Sequence, residues 1–126
     1  MAMNAKDLIQ KRNIIEDKKN KQLEVEVPDV GTFLFRLPTL EDVEDADAYE
    51  KSQKRPSLSN NYLVYSCCLS PDLKDKDLQE AYKCKDPVDI VSKVLMFGEV
   101  LSISDLLMKK AGIDKDSQMA VKELKN

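Results

Sequence analysis

The stretch Asp86–Gly112, DPVDIVSKVLMFGEVLSISDLLMKKAG, constrains the fold most, because it is the most apolar part of a chain that is 34% charged. Asp86 suits a helix N-cap, where its carboxylate accepts a free backbone N–H of the first turn. Pro87 follows at the first helical position, where the missing N–H costs nothing. Ile90, Val91, Val94 and Leu95 recur on one face at helical spacing. Gly98 interrupts the pattern. A second run follows in Val100, Ile103, Leu106, Leu107 and Ala111. Lys109 and Lys110 lie in its last turn, where cations suit the helix dipole, and Gly112 fits a left-handed cap. The spacing therefore predicts two short helices meeting at a Phe97-Gly98-Glu99 corner. Such a stripe ordinarily supplies core. In a functional reading, the part around Met96 and Phe97 meets a partner.

The clearest β signal is LEVEVPDVGTFLFRL at 23–37. Leu23, Val25 and Val27 alternate with Glu24 and Glu26, which gives one buried and one wet face. Pro28-Asp29-Val30-Gly31 is turn chemistry, with Pro presetting one dihedral and Gly supplying a positive one. Phe33, Phe35 and Leu37 share a face of the return strand. A lone hairpin is not stable in water, so this face must pack on helices. The expected fold is α+β and mostly α: an N-terminal β-hairpin packed on a bundle of about five short helices.

The remaining helices are weaker signals. Thr39 caps a helix over 40–50, with Asp42 completing a capping-box-like start. Its apolar residues repeat every three and drift around it. The polar segment 51–61 leads to an apolar helix, YLVYSCCL at 62–69, with Ser59 or Asn60 as cap and Ser70-Pro71 as stop. Tyr62, Tyr65, Ser66 and Leu69 would form its face. Leu78 and Tyr82 anchor a short helix over 76–83. Asp114 caps a last helix carrying Met119, Val121 and Leu124. Residues 1–22 form a basic, partly mobile segment with a short helix over 4–15 and a solvated break at 17–21. Residues 23–126 form one domain.

Charge is placed unevenly. Residues 1–22 hold six basic and three acidic side chains, whereas residues 24–50 hold nine acidic and one basic, Arg36. An acidic chain with net charge -3 and no basic recognition helix argues against nucleic-acid binding. The absence of an apolar run of membrane length and of a signal-like start gives a cytoplasmic expectation with no membrane contact. Cys67, Cys68 and Cys84 are an odd count, which argues against a disulfide framework. One of the adjacent pair should face the core.

The chain contains no histidine, which removes the commonest general base and metal ligand. Its three glycines are far apart and form no phosphate loop. Asp75-Asp77-Gln79 and Asp114-Asp116-Gln118 have calcium-loop spacing. Neither has the Gly or the final Glu that such a loop needs. No catalytic, cofactor or metal site is expected. The acidic residues Glu41, Asp42, Glu44 and Asp45 read as a solvated helix face, or as steering charges for a basic partner.

The order of features resembles the XkdN-like phage tail assembly chaperones. Phe33-Leu34-Phe35-Arg36-Leu37-Pro38-Thr39 leads into an acidic helix beginning Leu40-Glu41-Asp42. A Tyr-rich apolar helix ends Leu69-Ser70-Pro71-Asp72-Leu73-Lys74-Asp75. An L-x-x-G-E unit stands at Leu95 to Glu99, and a helix leading to Ala111-Gly112-Ile113 follows. The closing Glu123-Leu124-Lys125-Asn126 also fits. The family often has Pro where Phe97 stands. The resemblance covers roughly residues 23–126. It implies a non-enzymatic protein that binds the tape-measure protein, helps tail-tube subunits polymerise around it, and is absent from the finished tail. It also implies that a longer, frameshifted product can exist. The tail-tube protein is a further partner, and self-association is open. A structural tail completion or connector protein is the alternative, as is a small regulatory protein-binding domain outside phages. A chaperone for a long helical client needs apolar contact with a charged rim. The candidate contacts are Met96, Phe97, Val100 and Met108, with Glu41, Asp42, Glu44 and Asp45 for steering.

Overall fold

The computed structural model describes residues 2–113. The hairpin pairs β1 (Gln22–Val27) with β2 (Gly31–Arg36), antiparallel, from Gln22 opposite Arg36 to Val27 opposite Gly31. Pro28 and Asp29 are the central residues of the turn, closed by the Val30 N–H donating to the Val27 carbonyl at 3.1 Å. The left-handed residue is Asp29, with φ 64°, as in a type II turn; Gly31, with φ 141°, follows it. The expected turn is present, but its positive dihedral begins two residues before the glycine.

A third strand, β3 (Cys68–Ser70), pairs antiparallel with β2, so the order is β1-β2-β3. The sequence pattern assigns these residues to the end of the apolar helix. The helix stops at Cys67 instead, because Cys68 turns to extended backbone and takes a place against Phe35. A three-residue strand carries too little pattern to be seen without its neighbour.

The helical layer begins with α3 (Leu40–Gln53) and α4 (Leu58–Cys67). It continues with α5 (Lys76–Ala81), α6 (Asp89–Val94) and α7 (Phe97–Lys110). Thr39 caps α3 as expected: its side chain accepts from the Asp42 N–H, and the Asp42 carboxylate accepts from the Thr39 N–H at 2.7 Å. The start of α4 differs. Ser57, with φ 72°, is its N-cap and makes no side-chain bond there. Ser59 lies inside the helix, with its N–H and hydroxyl donating to Glu50, and Asn60 accepts from the Ser104 hydroxyl at 2.8 Å. These polar residues tie α4 to its neighbours rather than starting it.

Helix α4 is central, packing on α3, α6 and α7. Its buried residues are Asn61, Leu63, Val64 and Cys67, not the Tyr62–Tyr65–Leu69 face; Leu69 is exposed. A helix with neighbours on several sides buries more than one stripe, and the two tyrosines settle at its margin. The Tyr62 ring packs at a tilt against that of Tyr49 on α3, with centroids 5.2 Å apart. The amide of Asn61 is buried and donates to Ser92 at 2.8 Å. The core joins Val27, Phe33 and Phe35 of the sheet to Leu63, Val64 and Cys67, and then to Ile90, Val91, Leu95, Val100, Ile103 and Leu107. Burial of each large side chain contributes about 1.5–3 kcal/mol.

Asp86 caps the turn before α6 rather than α6 itself. Its carboxylate accepts from the Val88 N–H, and the Asp89 carboxylate accepts from the Asp86 N–H. Helix α7 ends as predicted, with Gly112 at φ 73°, its N–H donating to the Lys109 carbonyl and that of Ile113 donating to the Met108 carbonyl. This is the Schellman arrangement. Ahead of the sheet lie α1 (Ala5–Gln10) and α2 (Arg12–Lys19), joined at Lys11; neither holds a buried residue. Helix continues through 17–19, where a break was expected, and ends at Asn20. The helix expected from Asp114 lies outside the described residues.

Candidate functional site

The corner between α6 and α7 gathers the most exposed large apolar side chains outside the N-terminal arm, Leu40 apart. Leu95 is 5% exposed and anchors the corner in the core; Met96 is 74% exposed and Phe97 64%. Glu99 reaches back to accept the Met96 N–H at 2.8 Å. A carboxylate there serves the first turn twice, filling an orphan donor and facing the positive end of the helix. The L-x-x-G-E unit thus has a physical account: one residue pins the corner, another caps the helix, and the two after the leucine point outward. Leu101, 38% exposed and one turn after Phe97, extends the ridge. It is absent from the candidates drawn from the sequence, although its spacing of four from Phe97 is visible there.

The other candidates divide. Val100 is 1% exposed and belongs to the core, so it is not a surface contact. The helix rotation that turns Phe97 and Leu101 outward turns Val100 and Ile103 inward. Met108 is half-buried and packs against the core. It stands eleven residues from Phe97, about 16 Å along the helix at 1.5 Å per residue. It belongs instead to a groove of about 100 Å³ shared with Val43, Ala46, Asp47 and Leu63. Glu41, Glu44 and Asp45 lie on α3 and are all exposed.

Asp42 is committed elsewhere. Its two carboxylate oxygens accept from the Arg36 guanidinium at 2.7 and 3.0 Å, and Arg36 also donates to the Ser66 and Leu37 carbonyls. This arrangement joins β2, α3 and α4. The Arg36 hydrogen bonds outweigh partial burial and hold the Asp42 carboxyl down at about 2. Elsewhere burial dominates: it pushes the Cys67 thiol up to about 12, Cys68 to about 11, and, with help from Asp86, Tyr49 to about 12. Cys67 and Cys68 lie within electrostatic reach of one another, and Cys67 of the Arg36–Asp42 pair, but none of these groups lines the groove beside Met108 or the one between β1 and α7. Among the described residues no group of three or more His, Cys, Asp or Glu is placed to hold a metal. None of the described helices is long and apolar enough to cross a membrane.

A second groove, of about 250 Å³, runs between β1 and the first half of α7. Val25, Val27 and Ile103 supply its apolar lining, with Gly98, Glu26 and Glu99 also on its walls. An added Cβ at Gly98 would meet nothing within 4 Å.

Residues 56–125 match the family model of the phage XkdN-like tail assembly chaperone proteins. The chain belongs to that family. The match takes in α4 through α7, including the corner and its ridge. The family is one of assembly chaperones, so the chain has a role in phage tail assembly. A crystal structure of the protein yqbn superposes with a TM-score of 0.58 and 23% identity, over 75% of this chain and 87% of that one. That likeness is one of fold. No curated protein matches the chain.

Proposed function

We propose that this tail assembly chaperone is non-enzymatic and acts in the host cytoplasm, binding the tape-measure protein while tail-tube subunits polymerise around it. It then leaves, and is absent from the finished tail. The observation that carries this reading is the exposed Met96–Phe97–Leu101 ridge, held out from a corner that Leu95 and Glu99 fix. A rigid apolar ridge with an adaptable methionine suits a helical client that would otherwise aggregate. Glu41, Glu44 and Asp45 supply steering charge at a distance from it; Asp42 and Val100 have structural roles instead.

The test is co-expression with a phage tape-measure protein, followed by pull-down and a solubility assay. The expected result is a soluble complex that Phe97→Ser abolishes while the circular dichroism spectrum is unchanged. Presence of the chain in purified tails, with no effect on client solubility, would make it a structural tail component and overturn the proposal.

A further inference from the structure

Among the described residues the sheet ends in an open edge beside a groove. In the order β1-β2-β3, β1 has one strand neighbour among the described residues, so its far edge offers main-chain donors and acceptors. The inner face is unevenly covered. Phe33 and Phe35 of β2 are 4% and 0% exposed, whereas Leu23 and Val25 of β1 are only half-buried. The apolar face therefore runs out past its helical cover on the β1 side, at the groove floored by Val25, Val27 and Ile103. Glu24 and Glu26 alternate with the apolar residues of β1 and are exposed; Glu26 also borders the groove, and Glu99 stands on its wall. Charges on an edge strand discourage indiscriminate pairing. Charges of a single sign still admit a strand of the opposite sign.

We infer that β1 is a strand-addition site for an extended partner segment in which apolar and basic residues alternate. The partner's main chain pairs with the open edge of β1. Residues opposite each other in a ladder share a face, so its basic side chains lie beside Glu24 and Glu26 and its apolar ones fall beside Val25 and into the groove. The space at Gly98 receives the inward side chain. This site is separate from the Met96–Phe97–Leu101 ridge and stands whether or not the ridge holds the tape-measure protein.

The probe is a six-residue peptide, Lys-Val-Lys-Val-Lys-Val, matched to the six residues of β1. It is titrated into the full chain and followed by amide NMR. The expected result is saturable perturbation of β1 and the start of α7. Methylating the peptide's edge-facing amide nitrogens should weaken binding by about tenfold or more, since main-chain pairing is then lost. Gly98→Leu fills the groove from a helical position with open space around it, so the chain still folds and binding falls by a similar factor. Glu24→Lys with Glu26→Lys should reverse the preference towards Glu-Val-Glu-Val-Glu-Val. Equal binding of the methylated peptide, indifference to Gly98→Leu, or perturbations centred on α3 would each overturn the inference. Client capture by the Phe97→Ser chain reports on the chaperone reading alone, and peptide binding by Gly98→Leu reports on the strand site alone.

Discussion

Replacing Asp42 with asparagine tests how the sheet is joined to the helices. In the folded chain the Asp42 carboxyl sits at about 2, against an ordinary 3.8, chiefly because Arg36 hydrogen-bonds its charged form. At about 1.36 kcal/mol per pKa unit this difference corresponds to roughly 2 kcal/mol as an upper bound. The Arg36 side chain is 37% exposed and that of Asp42 14%, so water screens part of the attraction and about 1–2 kcal/mol is retained. The amide introduced by Asp42→Asn keeps some of the capping geometry towards Thr39 but loses the charge. The expected destabilisation at neutral pH is therefore about 1–2 kcal/mol, read as a lower urea midpoint with an unchanged slope. The pH dependence carries the sign. A carboxyl whose folded pKa is depressed stabilises fully above its unfolded pKa, and that stabilisation is lost as pH falls through the folded value. The wild-type advantage should be constant above about pH 5 and shrink steadily between about pH 4 and 2. Parallel urea midpoints for wild type and Asp42→Asn across that acid window would contradict a charged joint between Arg36 and Asp42, and so would an undiminished difference at pH 2.

Val100→Ala should cost about 1–3 kcal/mol in urea denaturation because Val100 is in the core, whereas Phe97→Ser should leave the midpoint nearly unchanged. Gly98→Ala should raise stability by up to about 1 kcal/mol, since the position is helical with open space; Gly112→Ala should lower it by about 1 kcal/mol, because φ there is 73°. Thermal melts of the two variants should shift in opposite directions. Cys67, fully buried and with its thiol pushed up to about 12, should react with an aromatic disulfide at pH 8 only when the chain unfolds; rapid native labelling mapped to Cys67 by mass spectrometry would contradict the packing.

Legibility followed the range of the interactions. Thr39 with Asp42, and Gly112 with its lysines, were readable because each cap involves residues within a few positions; Asp86 was not, since α6 begins only at Asp89 and Asp86 and Pro87 lie in the turn before it. The hairpin was readable because alternation is a local pattern with a local turn. The ridge at Met96 and Phe97 was half readable. Their exposure follows from helix phase at the corner, and that phase places Val100 with Ile103 and Leu107 inside rather than with Phe97 outside. Met108 resembles Met96 in residue type, although about 16 Å of helix separates it from Phe97.

Composition and short-range spacing were enough for the class of fold, the hairpin, and the caps at Thr39 and Gly112. Three features came only from tertiary packing. Cys68–Ser70 became a strand because β2 offered it a partner across 33 residues of chain from Phe35 to Cys68. Arg36 acquired Asp42 and the Ser66 carbonyl together, which took Asp42 from the surface acids and made it a joint. β1 was left as an edge, with its apolar face half-covered beside α7. Each depends on which segments meet after collapse, and a local pattern carries no information about distant partners.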